Sequence, residues 1–253
     1  LTSGMAIGPL VGGVLITFLG VGQSYIAMLL MYSLGFFMLM SLNIKVSSGV
    51  IVRESVIKSF LHGFDYVSHH SVLFPAIGVT LVMNMFVFTH TQLLPVFAKE
   101  ILLVGSTELG VMASAIGVGA LIGTLIQASL GNFGHRGMVY LSGSTITILS
   151  ALLFSASAWF GLSLVFLFIF GLGLSAFHSM QGAILLSAAS SDMRGRTMSI
   201  LMLGIGAGPV GTLIVGRMAL EMGAPLAIRV SAGIGLILFL LIVISSPKLR
   251  GYS

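Results

Sequence analysis

Long apolar runs follow one another along almost the whole chain. About eight of them are long enough to cross a bilayer core of about 30 Å, which takes roughly 20 helical residues. They lie near residues 1–19, 24–43, 72–95, 107–130, 138–157, 161–188, 197–218 and 227–246. The runs do not alternate apolar and polar residues as barrel strands do. Because a helix satisfies its own backbone hydrogen bonds in lipid, the pattern predicts an all-α membrane protein.

The composition also indicates that most of the protein is surrounded by lipid. The chain is 57% hydrophobic and only 7% charged, whereas soluble domains carry about 25% charged residues. The net charge of +5 is spread over short loops, which does not indicate a nucleic-acid partner. With no cysteine in 253 residues, thiolate metal sites and thiol catalysis are excluded. We expect a lipid bilayer as partner and no cofactor.

Basic residues predict the orientation. Joining successive spans places eight of the eleven Lys and Arg residues on one side, which the positive-inside rule assigns to the cytoplasm. Those eight are Lys45, Arg53, Lys58, Arg136, Arg194, Arg196, Lys248 and Arg250. We expect a cell membrane, bacterial inner or plasma membrane, with the longest loop and the C-terminal tail in the cytoplasm.

A glycine-proline string occurs twice. GMAIGPLVGG at residues 4–13 aligns with GIGAGPVGTL at 204–213. Small residues let membrane helices approach closely, and proline removes a backbone donor and can kink a helix. Both strings are therefore predicted to lie at a helix interface that moves during function, although simple tight packing would also explain them. The motif residues are Gly4, Gly8, Pro9, Gly12, Gly13, Gly204, Gly208 and Pro209.

The repeat divides the chain into four predicted parts. Residues 1–43 correspond to the last two helices of a truncated N-terminal six-helix bundle, and residues 72–246 to a complete C-terminal bundle. Residues 44–71 form a cytoplasmic linker in which apolar residues such as Phe60 and Phe64 recur at helical spacing, predicting an amphipathic helix. Residues 247–253 are a cytoplasmic tail. Since the chain starts without Met directly in an apolar run, we expect it to be cut from a longer protein.

Three strings carry a resemblance to a known family. GMAIGPLVGG resembles the GxxxGPxxGG motif of the fifth helix in major facilitator superfamily exporters. SDMRGRTMSI at 191–200 and LLPVFAKEIL at 93–102 are similar to segments of the branch that includes enterobactin exporters and multidrug efflux proteins. The resemblance implies twelve helices in two bundles, alternating access, and a chain holding helices five to twelve, about eight of the twelve.

The loop GNFGHRG at 131–137 departs from that family. It keeps Gly131 and Arg136 but lacks the aspartate expected in this loop. Arg194 and Arg196 could help to close the cytoplasmic side instead. The alternative is that Arg136, Arg194 and Arg196 only set the topology.

Polar residues inside the spans are the candidates for substrate binding. Burying an amide or imidazole in hydrocarbon without a partner costs several kcal/mol, on the order of transfer data, so these side chains need a cavity or another helix. We predict that Asn84, Gln92, Ser175, His178 and Gln181 line a broad, mostly apolar cavity. For each one, an interhelical hydrogen bond is the alternative. His178 and His90 are also possible proton carriers.

No catalytic or metal site is predicted. The six acidic residues lie in loops or at span ends, and no hydrolase, metalloprotease or phosphate-loop motif occurs. His62, Asp65 and His69 could share a helical face as metal ligands, but a solvated polar face explains them better. We therefore expect no enzyme but a secondary transporter driven by an ion gradient, with the proton as the expected ion. It would export bulky amphipathic small molecules, siderophore-like or drug-like. A non-transporting membrane protein and an intramembrane enzyme are the alternatives.

Overall fold

The computed structural model describes residues 2–40, 56–130 and 134–253. Every regular element in these ranges is helical, which confirms the predicted all-α membrane class. The α-helices are α1 (Thr2–Met40), α2 (Val56–His69), α3 (Leu73–Val82), α4 (Leu94–Glu100), α5 (Ser106–Leu130), α6 (Arg136–Ser155), α7 (Phe160–Ala188), α8 (Arg194–Ile205), α9 (Gly208–Met222), α10 (Ala224–Ser245) and α11 (Pro247–Arg250). A π-helical turn, Met83–Val87, and a 3₁₀ turn, Phe88–Leu93, join α3 to α4.

Six helical segments of the described part are long and apolar enough to cross a membrane. They reproduce the last six spans expected from the sequence, with ends shifted by a few residues. Two of them are not regular throughout: one combines α3, the two turns and α4, and another combines α8 and α9. The six are Leu73–Glu100, Ser106–Ser129, Arg136–Ser155, Phe160–Ala188, Arg194–Met222 and Ala224–Ser245.

The first 40 residues differ from the sequence expectation. Two spans were expected near 1–19 and 24–43, but the structure has the single helix α1, which packs along α5. Residues 20–23 between the expected spans contain two glycines and no proline. Glycine permits a turn without imposing one, so the helix continues. At 39 residues, α1 is about 58 Å long, well beyond one bilayer core.

Helix α7 forms the centre of the six-span bundle, between α5 and α6. Glycines make both contacts close. A Cβ at Gly171 would overlap the carbonyl oxygen of Ile116 on α5, and a Cβ at Gly173 would lie 2.6 Å from the Gly143 carbonyl oxygen on α6. Without these glycines the backbones would have to separate, which is the role that small residues have in membrane bundles.

The predicted amphipathic helix is present as α2, whereas residues 41–55 of the linker lie outside the described residues. Helix α2 packs on α8. A Cβ at Gly63 would lie 3.0 Å from the Arg196 Cβ, and the Tyr66 hydroxyl accepts a hydrogen bond from the Ser190 amide at 3.2 Å. The helix is thus fixed to the end of the bundle at which α8 begins. Its position on a membrane face stays a prediction.

Candidate substrate cavity

A cavity of about 610 Å³ lies among the irregular α3–α4 span, α5, α7 and the end of α8. Three of the five side chains predicted to bind substrate line it, namely Asn84, His178 and Gln181. Its walls are mostly apolar and partly aromatic, as is usual for small-molecule sites. The other lining residues are Phe88, Thr91, Leu94, Ala113, Ile116, Gly117, Phe170, Leu174, Phe177 and Ile205.

Asn84 enters the cavity from the π-helical turn. Its Nδ2 donates to the Thr80 carbonyl oxygen at 2.9 Å, so the amide is held on its own helix. Neighbouring helices contact the irregular backbone: the Ser231 hydroxyl donates to the Phe86 carbonyl at 2.7 Å, and Gly211 lies against the Met85 carbonyl. Single π turns inside α-helices occur frequently at functional sites, and this one lies directly beside the cavity.

Gln181 is fixed by a hydrogen-bond network between three helices. Its Nε2 donates to Thr80 Oγ1 at 2.7 Å, and the Tyr140 hydroxyl is 3.2 Å from the same oxygen. Tyr140 in turn donates to the Ala76 carbonyl at 2.9 Å. Thr80 and Tyr140 are fully buried. The network therefore joins α3, α6 and α7 and turns one side of the Gln181 amide toward the cavity.

His178 is the least constrained polar group of the cavity. No described residue makes a hydrogen bond to its ring, and its side chain is exposed to the open space. The ring meets Phe88 nearly edge-on, with centroids 5.9 Å apart, and the Phe177 centroid is 5.3 Å away. A ring packed against two aromatic side chains with both nitrogens available can donate to, or accept from, a ligand.

Gln92 lines a second cavity of about 590 Å³ on the other side of the 3₁₀ turn. Gly208, Pro209 and Thr212 of α9 form the opposite wall. The two cavities share three lining residues, Asn84, Phe88 and Thr91. Gln92 is thus close to the first cavity but separated from it by the 3₁₀ turn, so the structure does not bring all the predicted residues into one space.

Ser175 lines neither described cavity. It is buried between α7 and α5, where its hydroxyl donates to the Leu172 carbonyl at 2.9 Å and accepts from Gln127 Nε2 at 3.1 Å. Ser175, His178 and Gln181 follow one another three residues apart, a spacing that does not keep them on one helix face. Each step of three turns about 60° around an α-helix, so Ser175 and Gln181 point about 120° apart. Ser175 instead makes an interhelical hydrogen bond, which is the alternative that the sequence left open.

His90 does not reach either described cavity. It is buried, its Nδ1 lies 2.7 Å from the Val87 carbonyl, and its ring packs against Phe170 with centroids 4.5 Å apart. Its Nε2 has no hydrogen-bond partner in the structure. His90 therefore has no described route to a ligand, and its role as a proton carrier stays a prediction.

Comparison with known proteins shows the family of the chain. The family model described as transmembrane secretion effector, within the major facilitator superfamily, matches residues 3–251. The chain belongs to this family. No curated protein matches it significantly. Membership points to a multi-pass transmembrane transporter rather than an enzyme.

In this secretion-effector chain the second copy of the glycine motif is described in full, and of the first copy the helix backbone and the surroundings of Gly12 are described. Gly204 and Gly208 face α3 and the π turn: a Cβ at Gly204 would lie 3.6 Å from the Thr80 methyl, and one at Gly208 3.9 Å from the Asn84 carbonyl oxygen. These are ordinary contacts. The closest approach is at Gly211, where a Cβ would overlap the Met85 carbonyl oxygen.

The span that carries this motif is broken between α8 and α9, at Gly206 and Ala207. Pro209 lies in the first turn of α9 and has no backbone donor, which ends the α8 hydrogen-bond pattern. The first copy differs, because α1 runs without a break past Pro9. The surroundings of Gly4, Gly8, Pro9 and Gly13 lie outside the described residues, and a Cβ at Gly12 would meet no heavy atom within 4 Å. A packing role for Gly12 stays a prediction.

The three predicted gate arginines lie at one end of the bundle. Arg136 begins α6, and Arg194 and Arg196 lie in the first turn of α8. Arg194 is exposed, whereas Arg196 is half-buried beside α2, with Nη1 3.6 Å from the Met193 sulfur. Gly131 lies outside the described residues. A gating role for the three arginines stays a prediction.

Sequence reasoning missed the residues that hold the cavity in shape. Thr80 and Tyr140 were not singled out, since each is an ordinary residue of an apolar span. A hydroxyl three or four residues from an amide, as in Thr80 and Asn84, is the one signal that could have indicated a shared site. Among the described residues, no group of three His, Asp or Glu side chains is close enough to hold a metal ion.

Proposed function

We propose that this protein is a secondary active exporter of bulky amphipathic compounds, siderophore-like or drug-like, and that its substrate contacts Asn84, His178 and Gln181. The observation that carries the proposal is the aromatic-walled cavity of about 610 Å³ with polar side chains on one part of its lining. That volume falls within the range of sites for drug-sized ligands, roughly 300 to 1,000 Å³.

The hydrogen-bonding state of the amides favours one class of substrate. Asn84 and Gln181 each direct an N–H to a Thr80 oxygen, and their amide oxygens have no described protein partner. Those oxygens can only accept hydrogen bonds. The cavity therefore suits a ligand that brings hydroxyl or N–H donors.

Charge and ring packing restrict the ligand further. No residue that is described as lining either cavity is Lys, Arg, Asp or Glu. A small ion would lose its hydration there without a compensating charge, which is costly in a low dielectric. Phe88 and Phe177 instead offer aromatic surface for a flat apolar body. The proposed substrate is an uncharged or weakly charged amphipathic molecule with several donors.

The irregular segments supply a means of alternating access. The π and 3₁₀ turns of one span lie against the broken α8–α9 span, and both contribute to the second cavity. Hinges are a few residues at the ends of elements that absorb backbone changes. We assign this role to Gly206 and Ala207, whose movement would change the opening between the irregular turns and α9. An ion gradient, with the proton as the coupling ion, drives the cycle.

Transport by reconstituted protein tests the proposal. Everted vesicles or proteoliposomes with an imposed proton gradient are offered paired compounds that differ only in free or methylated hydroxyl groups. We expect gradient-dependent uptake of the free hydroxyl form and weaker uptake of its methyl ether. Equal transport of both forms would contradict the assigned donor requirement, and no gradient-dependent transport of any amphipathic compound would contradict the function.

A further inference from the structure

A second polar pocket lies far from the substrate cavity, at the end of the bundle where α2 meets α3 and where α10 ends. It encloses about 380 Å³. We call it the basal pocket and define it by His69, His70, Ser71, Phe74, Ser246 and Lys248. None of these residues lines either cavity of the proposed transport site.

The basal pocket borders the ends of two candidate membrane spans. One membrane span begins at Leu73 and another ends at Ser245, and both ends border the pocket. Phe74, in the first turn of α3, is 55% exposed, and Leu81, seven residues later on the same helix face, is 42% exposed. An apolar strip thus leads from the pocket along the outside of the span.

The polar side of the pocket is rich in hydrogen-bond donors. The Nδ1 of His70 accepts from the backbone N–H groups of Val72 and Leu73, both at 3.3 Å. Because Nδ1 is the acceptor, the ring hydrogen is on Nε2, which is a donor. The hydroxyls of Ser71 and Ser246 make no hydrogen bond to a described residue and are available as well.

The charge of the pocket is positive. Lys248 is exposed and forms no ion pair with a described residue. No acidic side chain is described as lining the pocket. Asp65 on α2 lies beside the pocket, with its Oδ1 3.4 Å from Nδ1 of the lining residue His69. His62 on α2 and His135 just before α6 lie at the same end of the molecule.

We infer that the basal pocket binds the phosphate headgroup of an anionic membrane lipid. Lys248 supplies the charge, and the Nε2–H of His70 and the two serine hydroxyls bind phosphate oxygens. The exposed Phe74–Leu81 strip receives an acyl chain, which a free phosphate would not use. Basic pockets at the ends of membrane helices on the positive face suit anionic lipids. The bound headgroup joins α2 to the end of α10.

Native mass spectrometry of the purified protein in detergent tests this inference. The probes are phosphatidylglycerol and phosphatidylcholine with identical acyl chains, each with and without excess inorganic phosphate. We expect a preference for phosphatidylglycerol that falls about fivefold in Lys248→Gln, the usual effect of one basic residue near a membrane surface. His70→Asn should also weaken it, because Asn can still accept from the α3 backbone but lacks the Nε2–H donor.

Arg250→Gln is the matched control, because Arg250 is an exposed cation of the same short helix that does not line the pocket. It should leave the lipid preference unchanged. Equal losses in Lys248→Gln and Arg250→Gln, or an unchanged preference in Lys248→Gln, would overturn the inference. Displacement of the lipid by inorganic phosphate would show a free-phosphate site and would also overturn it. Transport activity is not the readout, so the result is independent of the proposed export function.

Discussion

The Gln181 amide donates a hydrogen bond to the Thr80 hydroxyl at 2.7 Å and so joins α7 to α3 beside the candidate substrate cavity. The two residues are 101 positions apart in the chain. Thr80 is fully buried, and Tyr140 lies within 3.2 Å of the same hydroxyl. One threonine thus fixes the orientation of a cavity-lining amide and the position of a third helix.

Thr80→Val should destabilise the protein because it leaves the Gln181 amide N–H without its partner, although the Tyr140 hydroxyl keeps its bond to the Ala76 carbonyl. Unsatisfied buried groups cost about 1–3 kcal/mol each. We expect a lower thermal unfolding midpoint in detergent. Thr145→Val is the control, since the Thr145 hydroxyl bonds only to the Leu141 carbonyl of its own helix. Equal midpoints for the two variants would contradict a structural role of the network.

His178→Ala should change which compounds are exported while the protein stays folded. The ring lines the cavity and has no described protein partner, so its removal breaks no internal hydrogen bond. We expect the export of some compounds to fall about tenfold or more and that of others to change little, as measured by competition among a panel of substrates. Ser142→Ala, an exposed position on α6 outside both cavities, is the control. A uniform effect on every compound would show that His178 does not contact substrate.

Gly211→Ala should impair packing more than Gly208→Ala. A methyl group at Gly211 would overlap the Met85 carbonyl, whereas one at Gly208 would lie 3.9 Å from the Asn84 carbonyl, which is an ordinary contact. Gly208→Leu should nevertheless stop transport, because the larger side chain would fill part of the second cavity, which Gly208 lines, and hold the two spans apart. Surface expression and unfolding midpoints separate misfolding from loss of transport. Normal transport by Gly208→Leu would show that this interface takes no part in the transport cycle.

Gly8→Leu extends the same comparison to the first copy of the motif. The sequence predicts that this change also blocks close helix approach and transport, more severely than Gly8→Ala. The measurement is transport at matched expression. If both Gly8 variants transport normally, the two copies of the motif are not equivalent.

Single-cysteine labelling tests the orientation, because the chain has no cysteine of its own. Ser191→Cys lies at the end of the bundle that carries Arg136, Arg194 and Arg196, and Glu100→Cys lies at the opposite end. The basic bias predicts that an impermeant reagent labels Glu100→Cys in intact cells and labels Ser191→Cys only after the membrane is opened. The reverse pattern would invert the topology and would place the basal pocket outside.

The linear sequence was enough to predict the fold class and the last six spans. Runs of apolar residues in a chain with 7% charge leave a membrane helix bundle as the only way to satisfy the backbone. The same local logic predicted α2 from the spacing of Phe60 and Phe64. It also predicted that Asn84, His178 and Gln181 line a cavity, since a polar group inside an apolar span needs a cavity or a partner.

Only the tertiary structure decided between a cavity and a partner for each polar group. Ser175 and His178 are three residues apart, yet one is buried against α5 and the other faces open space. That outcome depends on which neighbouring helix lies against each residue, and the spacing of residues along one helix does not predict it. The π turn and the close approach at Gly211 likewise depend on contacts between distant segments. Periodicity fixes which residues can lie in a membrane helix, whereas the packing of one helix on another fixes what each side chain meets.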